Sequence, residues 1–199
     1  MTPIPVPTQG ILLAAGSARR FGSHKLLHPL PDGTLIGVAA ARNLLAGCGH
    51  ALAVVRPGDR DFAALLRTEG LEIVVARRAR LGMGASLAAG VAAAPDANGW
   101  LIALADMPWI APRTIRAVVS MLENGAALAA PSHNGRRGHP VGFARAFKDE
   151  LVNLTGDTGA RELVRRYAER LQLFPCGDAG VLKDIDTPAD LLASQGVRD

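Results

Sequence analysis

The chain has 199 residues, two of them cysteines, with a formal net charge of +4 and a pI near 9.7; that length suits one domain with its own core. Cys48 and Cys176 stand far apart in no Cys-x-x-Cys spacing, which argues against a structural zinc site or a disulfide framework and fits a reducing cytoplasm. No apolar run approaches a membrane span, and one tyrosine, two tryptophans and five phenylalanines offer little for base stacking, so the positive charge points to small polyanions, with no nucleic-acid or membrane partner.

Residues 1–9 hold three prolines and no basic-then-apolar leader pattern, and are expected to form a flexible tail before a single domain over 10–199. The apolar run Ile11–Ala15 reads as a strand. It breaks at Gly16 into a small, basic segment containing Ser17, Arg19, Arg20, Gly22 and Lys25. Gly16 can take a positive φ and lacks a Cβ, so backbone N–H groups can approach an anion, and the cations add charge where a polyphosphate would lie. The loop has no Gly-Lys-Ser/Thr and no Gly-x-Gly-x-x-Gly. On these residues alone, a plain turn with solvated cations serves equally well.

Asp32-Gly33 marks a turn, Leu35–Leu45 a helix stopped by Gly47 and Gly49, and Ala51–Val55 a strand covered on both faces. The pattern then repeats: helix Arg60–Thr68, strand Leu71–Ala76, helix Gly84–Ala94, strand Trp100–Ala105. Strands alternating with helices predict an α/β fold with a mainly parallel sheet, which binds ligands beyond the carboxyl ends of its strands. Further on come a helix from Pro112 to Met121, strands Ala126–Ala130 and Pro140–Ala144 joined by a polar loop over 132–139, and helices Ala146–Leu154 and Thr158–Glu169, the latter capped by Asp157 or Thr158. Leu171–Phe174 reads as a late strand, and Thr187-Pro188-Ala189-Asp190 as a capping box opening the last helix.

Asp106 directly follows the strand Trp100–Ala105, and Pro108 turns the chain away. A carboxylate there can hold Mg2+, which takes oxygen ligands and bridges phosphates, or can serve as a turn residue. Asp184 and Asp186 point the same way if 183–188 is extended; Asp186 could join Asp106 in a paired-carboxylate metal site or simply start a helix. The glycines of Leu81-Gly82-Met83-Gly84-Ala85-Ser86 leave N–H groups free ahead of a helix, with the Ser86 hydroxyl in its first turn.

Leu13-Ala14-Ala15-Gly16, Arg20, Gly22 and Lys25 resemble the N-terminal signature of the MobA-like nucleotidyltransferases, although Ser17 stands one place before the family's serine. Asp106-Met107-Pro108 resembles the family's magnesium-binding Asp-x-Pro, with Ala105 where Gly is common. The late Asp186–Asp190 segment also recurs, and Leu81–Leu87 resembles the segment that contacts the nucleotide. Gly138-His139-Pro140-Val141 and Gly156-Asp157-Thr158-Gly159-Ala160-Arg161 resemble the molybdenum cofactor cytidylyltransferase (MocA-type) branch.

The resemblance implies a Rossmann-like three-layer α/β domain of the MobA-like nucleotidyltransferase fold, acting in the cytoplasm on CTP and a molybdopterin-type acceptor. Lys25, Arg20 and Asp106 would be catalytic, and Leu13, Ala14, Ala15, Gly16, Lys25 and Ser86 would bind nucleotide. His139, Asp157 and Arg161 would bind the acceptor, its terminal phosphate meeting cations such as Arg161 or His139. Asp106 and Asp186 would hold Mg2+. The Ala14-Ala15-Gly16 form of the loop accompanies cytosine, the Ala15 Cβ narrowing the space for a purine. An NTP transferase acting on a sugar phosphate or another phosphorylated acceptor is the first alternative. The second is a protein that binds and delivers molybdenum cofactor to a client molybdenum enzyme.

Overall fold

Strand β1 (Gln9–Leu13) lies at the centre of a computed structural model that describes residues 7–16, 24–157 and 159–193. It is flanked in parallel by β2 (Ala51–Val55) and β4 (Gly99–Leu104), and β3 (Glu72–Val75) runs parallel to β2 on the outer side. Beyond β4 comes the antiparallel β7 (Val141–Ala144), then β5 (Leu128–His133), with β8 (Leu171–Pro175) parallel to β5. The sheet is therefore mixed but mainly parallel.

The two-residue side-chain period sorts each strand into two cores. Leu12, Ala53 and Leu101 face one layer, built from α1 (Ile36–Cys48), α2 (Arg60–Thr68) and α4 (Pro112–Glu123). Ile11, Leu52, Val54 and Ile102 face the other, built from α3 (Met83–Ala93), α5 (Lys148–Val152) and α6 (Arg161–Arg166). The expected three-layer architecture follows. None of the described helices is long and apolar enough to cross a membrane.

Several boundaries differ from the sequence reading. Thr8 is buried and Gln9 is already in β1, so packing against the core includes residues ahead of 10. The α1 helix runs through Gly47 and stops at Gly49, which has φ +78°. Rather than ending at Ala130, β5 starts at Leu128, runs to His133 and folds back on β6 (Arg136–Arg137). The turn between them is Asn134-Gly135, both with positive φ, as the twist of a two-residue hairpin requires.

The expected helix over 146–154 is a 3-10 turn followed by the short α5. The one expected over 158–169 shrinks to α6, capped by Ala160 instead of Asp157. Gly156 and Gly159 both take positive φ there and hold the chain in turns until Arg161; Thr158 lies outside the described residues. The last helix, α7 (Pro188–Ala193), starts as expected: Asp190 Oδ2 accepts from the Thr187 N–H at 2.7 Å and the Asp186 N–H at 2.9 Å.

Candidate nucleotide site

The carboxyl ends of β1, β2 and β4 are stitched together just beyond the ladders. The Ala14 N–H donates to Val54 O at 2.9 Å, and the Ala105 N–H donates to Leu13 O at 3.1 Å. Ala14 is consequently buried and Gly16 emerges exposed. Gly16 does not adopt a positive φ, and a Cβ there would meet nothing within 4 Å among the described residues. Conformational freedom is therefore not what selects glycine at this position. Ser17 and Arg20 lie outside the described residues.

Lys25 opens a 3-10 turn, Lys25–Leu27, and is buried with its ammonium aimed at the strand ends. Its Nζ donates to Asp106 Oδ2 at 2.9 Å and to Asp186 Oδ1 at 3.3 Å. Burial opposes the Lys25 charge, but the two carboxylates outweigh it and leave the pKa raised above its ordinary value. Asp106 reaches this position because β4 ends at Leu104 and a tight turn follows, with the Met107 N–H on Leu104 O at 3.2 Å. Asp186 is brought alongside by the backbone, since the Ile185 N–H donates to Asp106 O at 2.9 Å.

Asp106 Oδ1 is buried and has no hydrogen-bond partner among the described residues. An orphaned carboxylate oxygen is costly unless a ligand meets it. With Asp186 across the same ammonium, the donor set is two carboxylates, which suits a hard divalent cation that also keeps phosphate and water oxygens. The residues present fit such an ion.

The segments expected to contact nucleotide and acceptor meet each other. The Gly84 N–H donates to Gly156 O at 2.8 Å, and a Cβ on Gly84 would lie 2.8 Å from Thr155 O. Asp157 Oδ1 lies 2.5 Å from where a Gly82 Cβ would stand. Asp157 thus packs on the start of α3. Ser86 is buried within that helix, its N–H reaching Gly82 O at 3.4 Å.

His139 and Arg161 belong to a second group that also includes Arg137. The His139 N–H donates to Val181 O at 2.9 Å, and its ring Nδ1 is buried without a partner among the described residues. Burial and then the Arg137 charge push the His139 pKa down to about 4, with Arg161 adding to the effect and Asp184 opposing it. At neutral pH the ring is uncharged. The expectation of a cationic His139 is thereby corrected, and the positive charge near it comes from Arg137 and Arg161. Arg137 is itself pulled below its ordinary value, by burial and by Arg161.

Two residues of this region escaped the sequence reading. Arg137 stands directly before the Gly138-His139-Pro140-Val141 motif but outside it. Asp178 is buried, takes the Ala111 N–H at 2.9 Å and the Thr114 hydroxyl at 2.7 Å on Oδ2, and takes the Gly180 N–H at 3.0 Å on Oδ1. It fastens 178–180 to the start of α4; its only sequence signal is an Asp two places before a glycine.

Residues 10–171 match the MobA-like NTP transferase domain model. The chain is 34% identical over 194 residues to nicotine blue oxidoreductase from Paenarthrobacter nicotinovorans, covering 94% of this chain and 95% of that protein. It is 25% identical over 189 residues to the molybdenum cofactor cytidylyltransferase of Escherichia coli, covering 93% and 94%. Among solved structures, Rv0371c from Mycobacterium tuberculosis superposes with a TM-score of 0.82 at 28% identity, covering 96% of this chain and 97% of that one. Its complex with manganese superposes at 0.77 and 26% identity, covering 94% and 97%.

Proposed function

The chain belongs to the MobA-like NTP transferase family, and from that premise we propose that it transfers CMP from CTP to a molybdopterin-type acceptor, releasing pyrophosphate. The observation that carries this reading is the buried Lys25 ammonium held at 2.9 and 3.3 Å between Asp106 and Asp186 at the strand ends. One ammonium between two carboxylates leaves the cluster net negative, so with a divalent cation bound it would suit a nucleotide's phosphates beside the exposed backbone at Gly16.

In the reaction, a phosphate oxygen of the acceptor forms a bond to the α-phosphorus of CTP. The bond from that phosphorus to the bridging oxygen breaks, and pyrophosphate leaves with the electron pair. A phosphate nucleophile is already ionised at neutral pH, so positioning and charge neutralisation supply the catalysis without a strong base. Lys25 and Arg20 hold the phosphates. Ala14, Ala15 and Gly16, continuing from Leu13, border the nucleotide, and Ser86 offers a hydroxyl from α3. Asp106 and Asp186 would hold Mg2+, which would supply Lewis-acid neutralisation of the phosphate charge. Arg137 and Arg161 meet the acceptor's phosphate, neutral His139 stands beside them without adding charge, and Asp157 fixes the approach of the acceptor loop to α3.

The test is pyrophosphate release measured across a matrix of nucleoside triphosphates and acceptors. Release with CTP plus molybdopterin supports the reading, and release only with a sugar phosphate or other phosphorylated acceptor replaces the acceptor. Tight molybdopterin binding without release favours cofactor delivery to a client enzyme. Oxidation or reduction of a substrate, with no pyrophosphate from any nucleotide, would overturn transfer in favour of the oxidoreductase activity named for the 34% identical relative.

A further inference from the structure

Lys25 sits on a short turn whose two ends are held differently. At its far end the Ile36 N–H donates to His28 O at 3.0 Å, tying the turn to the start of α1. At its near end, among the described residues, the contact is through a side chain. His24 Nε2 stands 3.3 Å from Asp59 Oδ2, and the ring is tilted 54° against Phe62 with centroids 5.4 Å apart. Asp59 Oδ2 also accepts from Arg56 Nε at 2.8 Å.

Two features mark this contact as more than packing. Asp59 occupies the N-cap of α2, yet its carboxylate makes no capping hydrogen bond to that helix. An aspartate at that position ordinarily caps its helix, and here the carboxylate faces His24 and pairs with Arg56 instead. His24 in turn buries both ring nitrogens without an aligned hydrogen bond among the described residues. An apolar side chain on Phe62 would avoid that cost. What the pair gains is a fixed position for the residue next to His24, which is Lys25.

We propose that the His24–Asp59 contact is a positioning device that holds Lys25 in register for the nucleotide's triphosphate. This rests on the function proposed above. Neither residue touches the reacting atoms. Their effect is pre-organisation: if the Lys25 turn is released, only a fraction of molecules present the ammonium correctly, and apparent nucleotide affinity falls by that fraction. Bound phosphates then draw Lys25 back into place, so turnover at saturation is preserved.

The experiment compares His24→Ala, His24→Gln and Asp59→Ser, reading KM for the nucleotide, kcat, and amide hydrogen exchange at Leu27 and His28, whose N–H groups close the turn on His24 O and Lys25 O. Serine is a favoured residue at a helix N-cap but cannot span to His24, so Asp59→Ser removes the anchor without weakening the start of α2. His24→Ala and Asp59→Ser should each raise KM roughly five- to tenfold with kcat within about twofold, and speed exchange at Leu27 and His28 comparably. The two together should do no more than either alone, and glutamine, which keeps a donor near Nε2, should restore part of the effect. Unchanged exchange at Leu27 and His28 in both single variants, or additive effects on KM, would overturn the proposal. A wild-type protein that uses no nucleoside triphosphate would overturn the proposed function instead, and hydrogen exchange would still decide the anchor.

Discussion

Acidification isolates His139 from the other histidines. Its ring titrates near 4 in the folded chain against 6.5 for an unperturbed imidazole. Because the folded value is lowered, the unfolded chain takes up the proton first as pH falls. Stability is therefore lost between about 6.5 and 4 and is level again below that window. The full difference is about 3 kcal/mol, of which about 2 kcal/mol is gone by pH 5. That is a large share of a typical domain's stability. His139→Asn places a neutral amide near the Nδ1 position and does not titrate. Urea unfolding at pH 7.5, 6, 5 and 4.5 should show the wild type falling relative to the variant by these amounts, while common contributions from the remaining histidines cancel. Parallel stability curves for the two proteins would refute the buried neutral imidazole, and with it the assignment of positive charge to Arg137 and Arg161.

Lys25→Ala removes the cation shared by Asp106 and Asp186 and should cut pyrophosphate release by about a hundredfold or more with the fold retained, checked by steady-state kinetics alongside circular dichroism. Because Lys25 is raised in the folded chain, its stabilising contribution is fully present at lower pH and is lost as pH rises through the folded value, above the ordinary lysine range. Asp106→Asn keeps the shape of the side chain but not its charge, and should abolish the divalent-ion dependence of turnover in a magnesium titration; a wild-type response would return Asp106 to a turn residue. Gly84→Ala forces a Cβ to within 2.8 Å of Thr155 O and should cost about 1–3 kcal/mol in denaturant unfolding by prising α3 from the 155–157 loop.

The parallel half of the fold was legible because its signals are local and repeated. Ala51–Val55 is buried at every position, as a continuous apolar run between helices implies. Asp106 was equally readable, since an aspartate directly after such a run must emerge at the strand end. The second half was harder because its elements are short and set by backbone geometry. The Asn134-Gly135 hairpin signal was present but lay inside a stretch taken as polar loop. The positive φ of Gly156 and Gly159 broke what reads as one helix. Sequence spacing carried no hint that His24 and Asp59 meet, because that pairing depends on how the start of α2 faces the turn bearing Lys25.

One segment near the C-terminus ties the two halves of the candidate site together. Asp178 clamps its start to α4, and a Cβ on Gly180 would collide with Trp109 O, so the chain passes close beneath that residue. Val181 O then takes the His139 N–H, and four residues later the Ile185 N–H reaches Asp106 O. The backbone that positions His139 therefore also delivers Asp186 to Lys25. Asp184, between these contacts, lies near enough to oppose the arginine charges on His139. A displacement of 178–186 would shift the Lys25 cluster and the Arg137–Arg161 group together. In the proposed reaction the spacing between nucleotide and acceptor is set by this one continuous stretch of main chain, and in-line transfer depends most on that spacing.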